Sequence, residues 1–130
     1  MYAVEIAPRP MQDLLEVARR RRNVVPLMAD ASAPEMYAPL VEPVDLIYQD
    51  VAHPDQALIA LKNACFLKDG GLLLMMLKTR SVDVVKAPET VLEETLGVLT
   101  AGYEVLDTCW LDPYHRDHAA VVARVRKEGA

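Results

Sequence analysis

Leu72-Leu73-Leu74-Met75-Met76-Leu77-Lys78 decides the fold. Six apolar residues in a row, with no polar alternation, read as a strand covered on both faces, the habit of a parallel sheet flanked by helices. The run is too short to span a bilayer. It ends on a single cation, Lys78. Before it stands Asp69-Gly70-Gly71, a stop for a helix opened by Pro54 that carries Leu58, Leu61 and Cys65 on one face. After it, residues 79–87 read as a loop, and Pro88 opens a helix with Leu92, Leu96 and Leu99 that Gly102 closes.

Working outward, the alternation continues in both directions. Val44 to Tyr48 reads as a strand ending at Gln49-Asp50, Asn23 to Met28 as another ending at Ala29-Asp30, and Tyr2 to Glu5 as a third. Between the last two, Met11, Leu14, Leu15 and Ala18 follow the i, i+3, i+4, i+7 spacing of an amphipathic helix, with Pro10 in its first turn and Arg19 to Arg22 at its negative end. Tyr103 to Leu111 and Ala119 to Val125 are two further strands. The polar turn between them, residues 112–118, is short enough to make them an antiparallel hairpin. Strands alternating with helices imply an α/β fold with a mostly parallel sheet.

The 130 residues suit one domain, taken as 1–130, and 52% hydrophobic residues suffice for a core. A net charge of −5 argues against an autonomous nucleic-acid binder, so RNA contact would be local or delegated to a partner. Cys65 and Cys109 sit in apolar contexts without zinc-type spacing, and are expected as buried thiols in a reducing compartment. No basic leader or long apolar stretch opens the chain, so a soluble cytoplasmic protein without membrane contact is expected.

The polar residues fall in one topological place. Glu5, Asp30, Asp50 and Lys78 each lie at or just past the C-terminal end of an expected parallel strand, and the start of the antiparallel last strand brings His118 to the same rim. Ligands of open α/β sheets bind outside those ends. Each residue also has a plain structural reading: Asp30 as a turn cap, Asp50 as a turn residue before a helix, Lys78 as a snorkelling sheet end. His115, Asp117 and His118 are too loosely spaced for a metal site, and none is expected.

Ala3-Val4-Glu5 with Pro8-Arg9, Arg22-Asn23-Val24-Val25-Pro26, Asp30-Ala31, Asp50-Val51-Ala52 with Pro54-Asp55-Gln56, Asn63-Ala64, Gly70-Gly71, Leu77-Lys78, Val82-Asp83 and Arg116-Asp117-His118-Ala119 resemble fibrillarin in order and spacing over essentially the whole chain. The resemblance implies a Rossmann-like methyltransferase fold, S-adenosylmethionine as cofactor, and transfer to ribose 2′-hydroxyls of rRNA or tRNA. It also implies a box C/D guide ribonucleoprotein, with its guide RNA and scaffold subunit as partners. Carried over, Glu5 would hold the cofactor ribose and Asp30-Ala31 the adenine. Asp50, His53 and Gln56 would line the methionine end, and Asp50, Lys78 and His118 would be catalytic.

Two departures stand out. His53 occupies a position where the family usually has glutamine, which adds a side chain of the type that titrates near neutrality. The chain also begins where the family's second strand begins, so an N-terminal subdomain, the first strand, its Gly-rich loop and one lysine of a Lys–Asp–Lys–His tetrad are expected to be missing. That strand would lie between those at Tyr2 and Val44, leaving a slot on the order of 10 Å. A complementing N-terminal chain, a strand-sharing homodimer, or direct pairing of the two flanking strands would each resolve it. A non-catalytic module that binds the scaffold subunit is the alternative to an enzyme.

Overall fold

The computed structural model describes residues 1–127, and the last three residues of the expected 1–130 span lie outside them. The chain divides into two compact units, Met1–Glu42 and Pro43–Ala130.

In the first unit, β1 (Tyr2–Glu5) pairs in parallel with β2 (Val25–Met28), with Glu5 opposite Met28. The crossover is α1 (Pro8–Arg20), which has proline in its first turn and Arg19 and Arg20 in its last. Met11 is buried and Leu14 and Ala18 are half-buried, while Leu15, at the margin of the expected stripe, is exposed. Two short 3₁₀ turns, Pro34–Met36 and Ala38–Leu40, follow β2 and bury Pro34 and Tyr37.

The second unit is a four-stranded sheet in the order β3-β4-β6-β5, comprising β3 (Val44–Gln49), β4 (Leu67–Lys78), β5 (Tyr103–Trp110) and β6 (His118–Val125). β3 and β4 are parallel; β6 runs antiparallel to both β4 and β5, so the expected hairpin is present. Helices α2 (Gln56–Asn63), α3 (Thr79–Val82) and α4 (Pro88–Leu99) complete the unit. Its core gathers Ala57 and Ala60 of α2, Leu99 of α4, Tyr103 of β5, and Leu73, Met75 and Leu77 of β4 with Val121 and Ala123 of β6.

Strand parity explains that core. On β4, the odd positions Leu73, Met75 and Leu77 are fully buried, and the even positions Leu72, Leu74, Met76 and Lys78 are half-buried on the other face. Their β6 partners obey the same rule, since Ala119, Val121 and Ala123 are buried while His118, Ala120 and Val122 are not.

Several expectations need correcting. The glycine pair does not stop a helix. α2 ends at Asn63, and Gly70, at φ 74°, takes up a register shift inside the longer β4, between the pairs Val44–Leu67 and Leu46–Leu72. The buried face of α2 is Gln56, Ala57, Ile59, Ala60 and Asn63; of the expected face, Leu61 is half-buried against the core, while Leu58 and Cys65 are exposed. Thr79–Val82 is a short helix rather than loop. Both cysteines are exposed. Cys65 lies in the 3₁₀ turn Ala64–Phe66, and a bulge between Val105 and Asp107 turns Cys109 away from the face on which Tyr103 is buried. Among the described residues β1 pairs with β2 within the first unit and β3 with β4 within the second. No helix among them is long and apolar enough to cross a membrane.

Candidate active site at the ends of the strands

In the second unit, strand parity brings the expected catalytic residues to one face and one end of the sheet. Lys78 continues the even-numbered face of β4 by one step beyond Met76. Asp50 continues the face of β3 that carries Leu46 and Tyr48, the register partners of Leu72 and Leu74. His118 is the direct cross-strand partner of Lys78, so the two side chains leave the sheet on the same side. Lys78 Nζ stands 3.0 Å from Asp50 Oδ1, with side chains 30% and 42% exposed. An ion pair so open to water adds little stability, about 1 kcal/mol at most, so its consequence is orientation of the ammonium group.

The loop before β6 fixes His118. Its Nδ1 lies 2.7 Å from the Arg116 carbonyl oxygen. A carbonyl only accepts, so Nδ1 carries the hydrogen and Nε2 is the free ring nitrogen. The loop is itself fastened to α3. The Asp117 carbonyl accepts from the Thr79 amide (3.1 Å) and the Thr79 hydroxyl (2.8 Å), and the Asp117 carboxylate accepts from Arg80 Nε (3.1 Å). Asp117 holds φ 60°, a left-handed conformation that aspartate tolerates better than most residues. The rings of His115 and His118 lie 5.5 Å apart and tilted.

Gln56 and His53 occupy the segment entering α2. Gln56 is 1% exposed. Its Oε1 accepts from the Lys78 amide (3.1 Å) and its Nε2 donates to the Lys78 carbonyl (3.0 Å). Gln49 Nε2 in turn donates to the Gln56 carbonyl (2.8 Å). His53 Nδ1 accepts from the Asp55 amide (2.9 Å), leaving Nε2 as its outward group. The residue set read from the sequence did not include Gln49, Thr79 or Arg80. The polar end of β3, after Leu46, Ile47 and Tyr48, was a signal for Gln49.

In the first unit, Glu5 closes β1 and Asp30 follows β2, which puts both at the same end of a parallel pair. Glu5 Oε1 accepts from the Ala7 amide (3.2 Å). Asp30 Oδ1 accepts from the amide (2.9 Å) and hydroxyl (2.7 Å) of Ser32, and the Asp30 carbonyl accepts from the Ala33 amide (2.9 Å). These bonds give the Asp30-Ala31 turn a fixed shape. A half-buried carboxylate with one oxygen anchored to backbone suits a pair of vicinal hydroxyls, and a rigid turn suits the edge of a planar base. The donor and acceptor chemistry present therefore fits a nucleoside-containing cofactor.

Comparison with known proteins agrees along the chain. The family profile described as fibrillarin matches residues 1–127. A fibrillarin-like rRNA/tRNA 2′-O-methyltransferase from Methanoculleus marisnigri is 62% identical over 127 residues, which are 98% of this chain and 64% of that protein. A solved fibrillarin/Nop5p complex contains a chain that is 41% identical, with a TM-score of 0.92, over 96% of this chain and 60% of that one. Aeropyrum pernix fibrillarin, solved with natively bound S-adenosyl-L-methionine, is 50% identical with a TM-score of 0.83, over 94% of this chain and 54% of that one. The chain thus spans somewhat under two thirds of the length of these relatives, and its α/β architecture is that of a Rossmann-like methyltransferase. The organisms named are archaea, which lack a nucleolus. With residues 1–127 matched, the chain belongs to the fibrillarin family.

Proposed function

We propose that the two units are parts of one methyltransferase domain that methylates ribose 2′-hydroxyls of rRNA or tRNA within a box C/D guide ribonucleoprotein. The observation that carries this reading is the Asp50–Lys78 ion pair, 3.0 Å long, at the sheet end with His118 as the cross-strand neighbour. S-adenosylmethionine supplies the methyl group. Glu5 holds the cofactor ribose, Asp30 and Ala31 meet the adenine, and Asp50 and His53 line the methionine end.

Methyl transfer from a sulfonium is an in-line displacement, so fixed placement of the acceptor oxygen supplies much of the rate. A ribose hydroxyl is a weak nucleophile and gains from a base or from stabilisation of developing negative charge. Lys78 Nζ, oriented by Asp50, serves that purpose, and the free Nε2 of His118 places the ribose. With a net charge of −5, the chain takes its RNA through the particle: a guide RNA selects the nucleotide and a scaffold subunit holds the enzyme. The relative solved with Nop5p supports a scaffold partner. The setting is cytoplasmic.

Calorimetry with S-adenosylmethionine, run beside the mass in solution, tests the reading. Binding is expected from the chain assembled with its scaffold subunit. Glu5→Ala should weaken it at least about tenfold, the scale of a lost charge-assisted hydrogen bond. Association with the scaffold subunit without cofactor binding by any assembly would instead favour a non-catalytic module.

A further inference from the structure

We propose that Gln56 is a positioning residue for Lys78, a side-chain surrogate for the strand that β3 no longer provides. This rests on the catalytic reading of Lys78 above. β3 stops at Gln49, whose register partner is Met75, three residues short of Lys78. The backbone of Lys78 faces away from β6: its amide and carbonyl both meet Gln56, while the carbonyl of its partner His118 accepts from Leu111 on the far side. Beyond the end of β3, these two groups would lack a ladder partner, and a buried unpaired amide or carbonyl is unfavourable.

The carboxamide of Gln56 has the donor and acceptor of a peptide group, and it is placed as the next peptide of β3 would be. Both bonds are of ordinary length, 3.0 and 3.1 Å, and the residue is 1% exposed. Gln49, 6% exposed, grips the Gln56 carbonyl at 2.8 Å, so the last residue of the strand fixes the residue that replaces it. The backbone from which Lys78 reaches Asp50 is thereby held on both sides: Gln56 at Lys78 itself, and the Asp117 carbonyl at Thr79. A cofactor contact through the same carboxamide would have to share groups already bound to Lys78, so the kinetic effect of Gln56 falls on the transfer step.

The test is backbone amide exchange of Lys78 by NMR on the full chain, with methyl-transfer kinetics as a separate arm. In the wild type the Lys78 amide should be protected like the interior of β4. Exchange as fast as in the 112–117 loop would overturn the proposal without any variant. Gln56→Glu keeps the shape. Its carboxyl, raised by burial, restores an O–H donor to the Lys78 carbonyl when protonated and opposes it when ionised. Relative to wild type, Lys78 protection should fall about tenfold as pH rises from about 5 to about 8, the scale of one lost hydrogen bond. A purely structural substitution has no reason to titrate. Unchanged protection throughout that range would refute the clamp.

In the kinetic arm, Gln56→Glu should lower kcat about tenfold with the KM for S-adenosylmethionine within about twofold. A raised KM with kcat intact would return Gln56 to the cofactor wall and overturn the positioning role. Absence of transfer by the wild type would count against the methyltransferase reading, and the exchange result would still decide the clamp.

Discussion

Tyr103→Phe removes one atom from the centre of the second unit, and its effect can be worked from the structure. The ring is fully buried, and the hydroxyl donates to the Ala60 carbonyl at 2.7 Å. That carbonyl is available because α2 tightens at its end: the amide of Ala64 bonds to Leu61, one residue short of the α-helical partner Ala60. Deleting the hydroxyl forfeits a hydrogen bond and leaves a buried acceptor unpaired, together about 1–3 kcal/mol at neutral pH. Burial also pushes the Tyr103 hydroxyl well above the ordinary tyrosine value of 10.0, with the nearby Cys65 adding to the rise.

The sign follows from that direction. A group whose folded pKa is raised contributes stability that is fully present below the unfolded value and lost as pH climbs toward the folded one. Wild-type stability should therefore fall above about pH 10, by up to about 1.4 kcal/mol per pH unit from this group alone. Tyr103→Phe lacks that component. Urea unfolding of both proteins between about pH 8 and pH 11 should show the destabilisation of the variant shrinking as pH rises. A difference that stays constant across that range, or a variant as stable as wild type at neutral pH, would refute the reasoning.

Other consequences can be checked with simpler measurements. Leu73→Ala, at a fully buried position in the core of the second unit, should cost about 2–5 kcal/mol in urea unfolding. Both cysteines should react with a thiol reagent in the native protein at rates near those of the unfolded chain, since both are exposed. His53 Nδ1 accepts from the Asp55 amide at 2.9 Å. His53→Ala removes that acceptor and should weaken cofactor binding by about fivefold in calorimetry, and unchanged affinity would exclude His53 from the cofactor wall.

The rim of the sheet was legible because it depends on strand ends, and an apolar run closed by one charged residue marks its own end. Lys78 after Leu72 to Leu77 and His118 before Ala119 were placed by that rule, Asp50 by the end of the mostly apolar strand before it, and the structure sets Lys78 against Asp50 and opposite His118. The entry to α2 was not legible. Pro54 gives a conventional start signal, yet the helix begins at Gln56, and its inward face carries that polar residue, whose carboxamide pairs with the Lys78 backbone, while the apolar Leu58 is exposed. The glycine pair misled for a related reason. Gly70 does supply a positive φ, but a register shift within a strand needs that conformation as much as a helix cap does. The position of Cys109 depended on a single bulged residue of β5, which reverses every later side chain and leaves no mark in composition.

Whether these residues make a working methyltransferase is tested most directly by a chimera. Residues 1–127 would replace the matching stretch of the Methanoculleus marisnigri relative, which is 62% identical there. The chimera would then be assembled with a scaffold subunit and a guide RNA and assayed for methylation of the guide-matched ribose. The expected result is site-specific methylation close to that of the relative, reduced at least about a hundredfold by Lys78→Ala. A chimera that folds and joins the particle but transfers no methyl group, or one whose activity is untouched by Lys78→Ala, would contradict it.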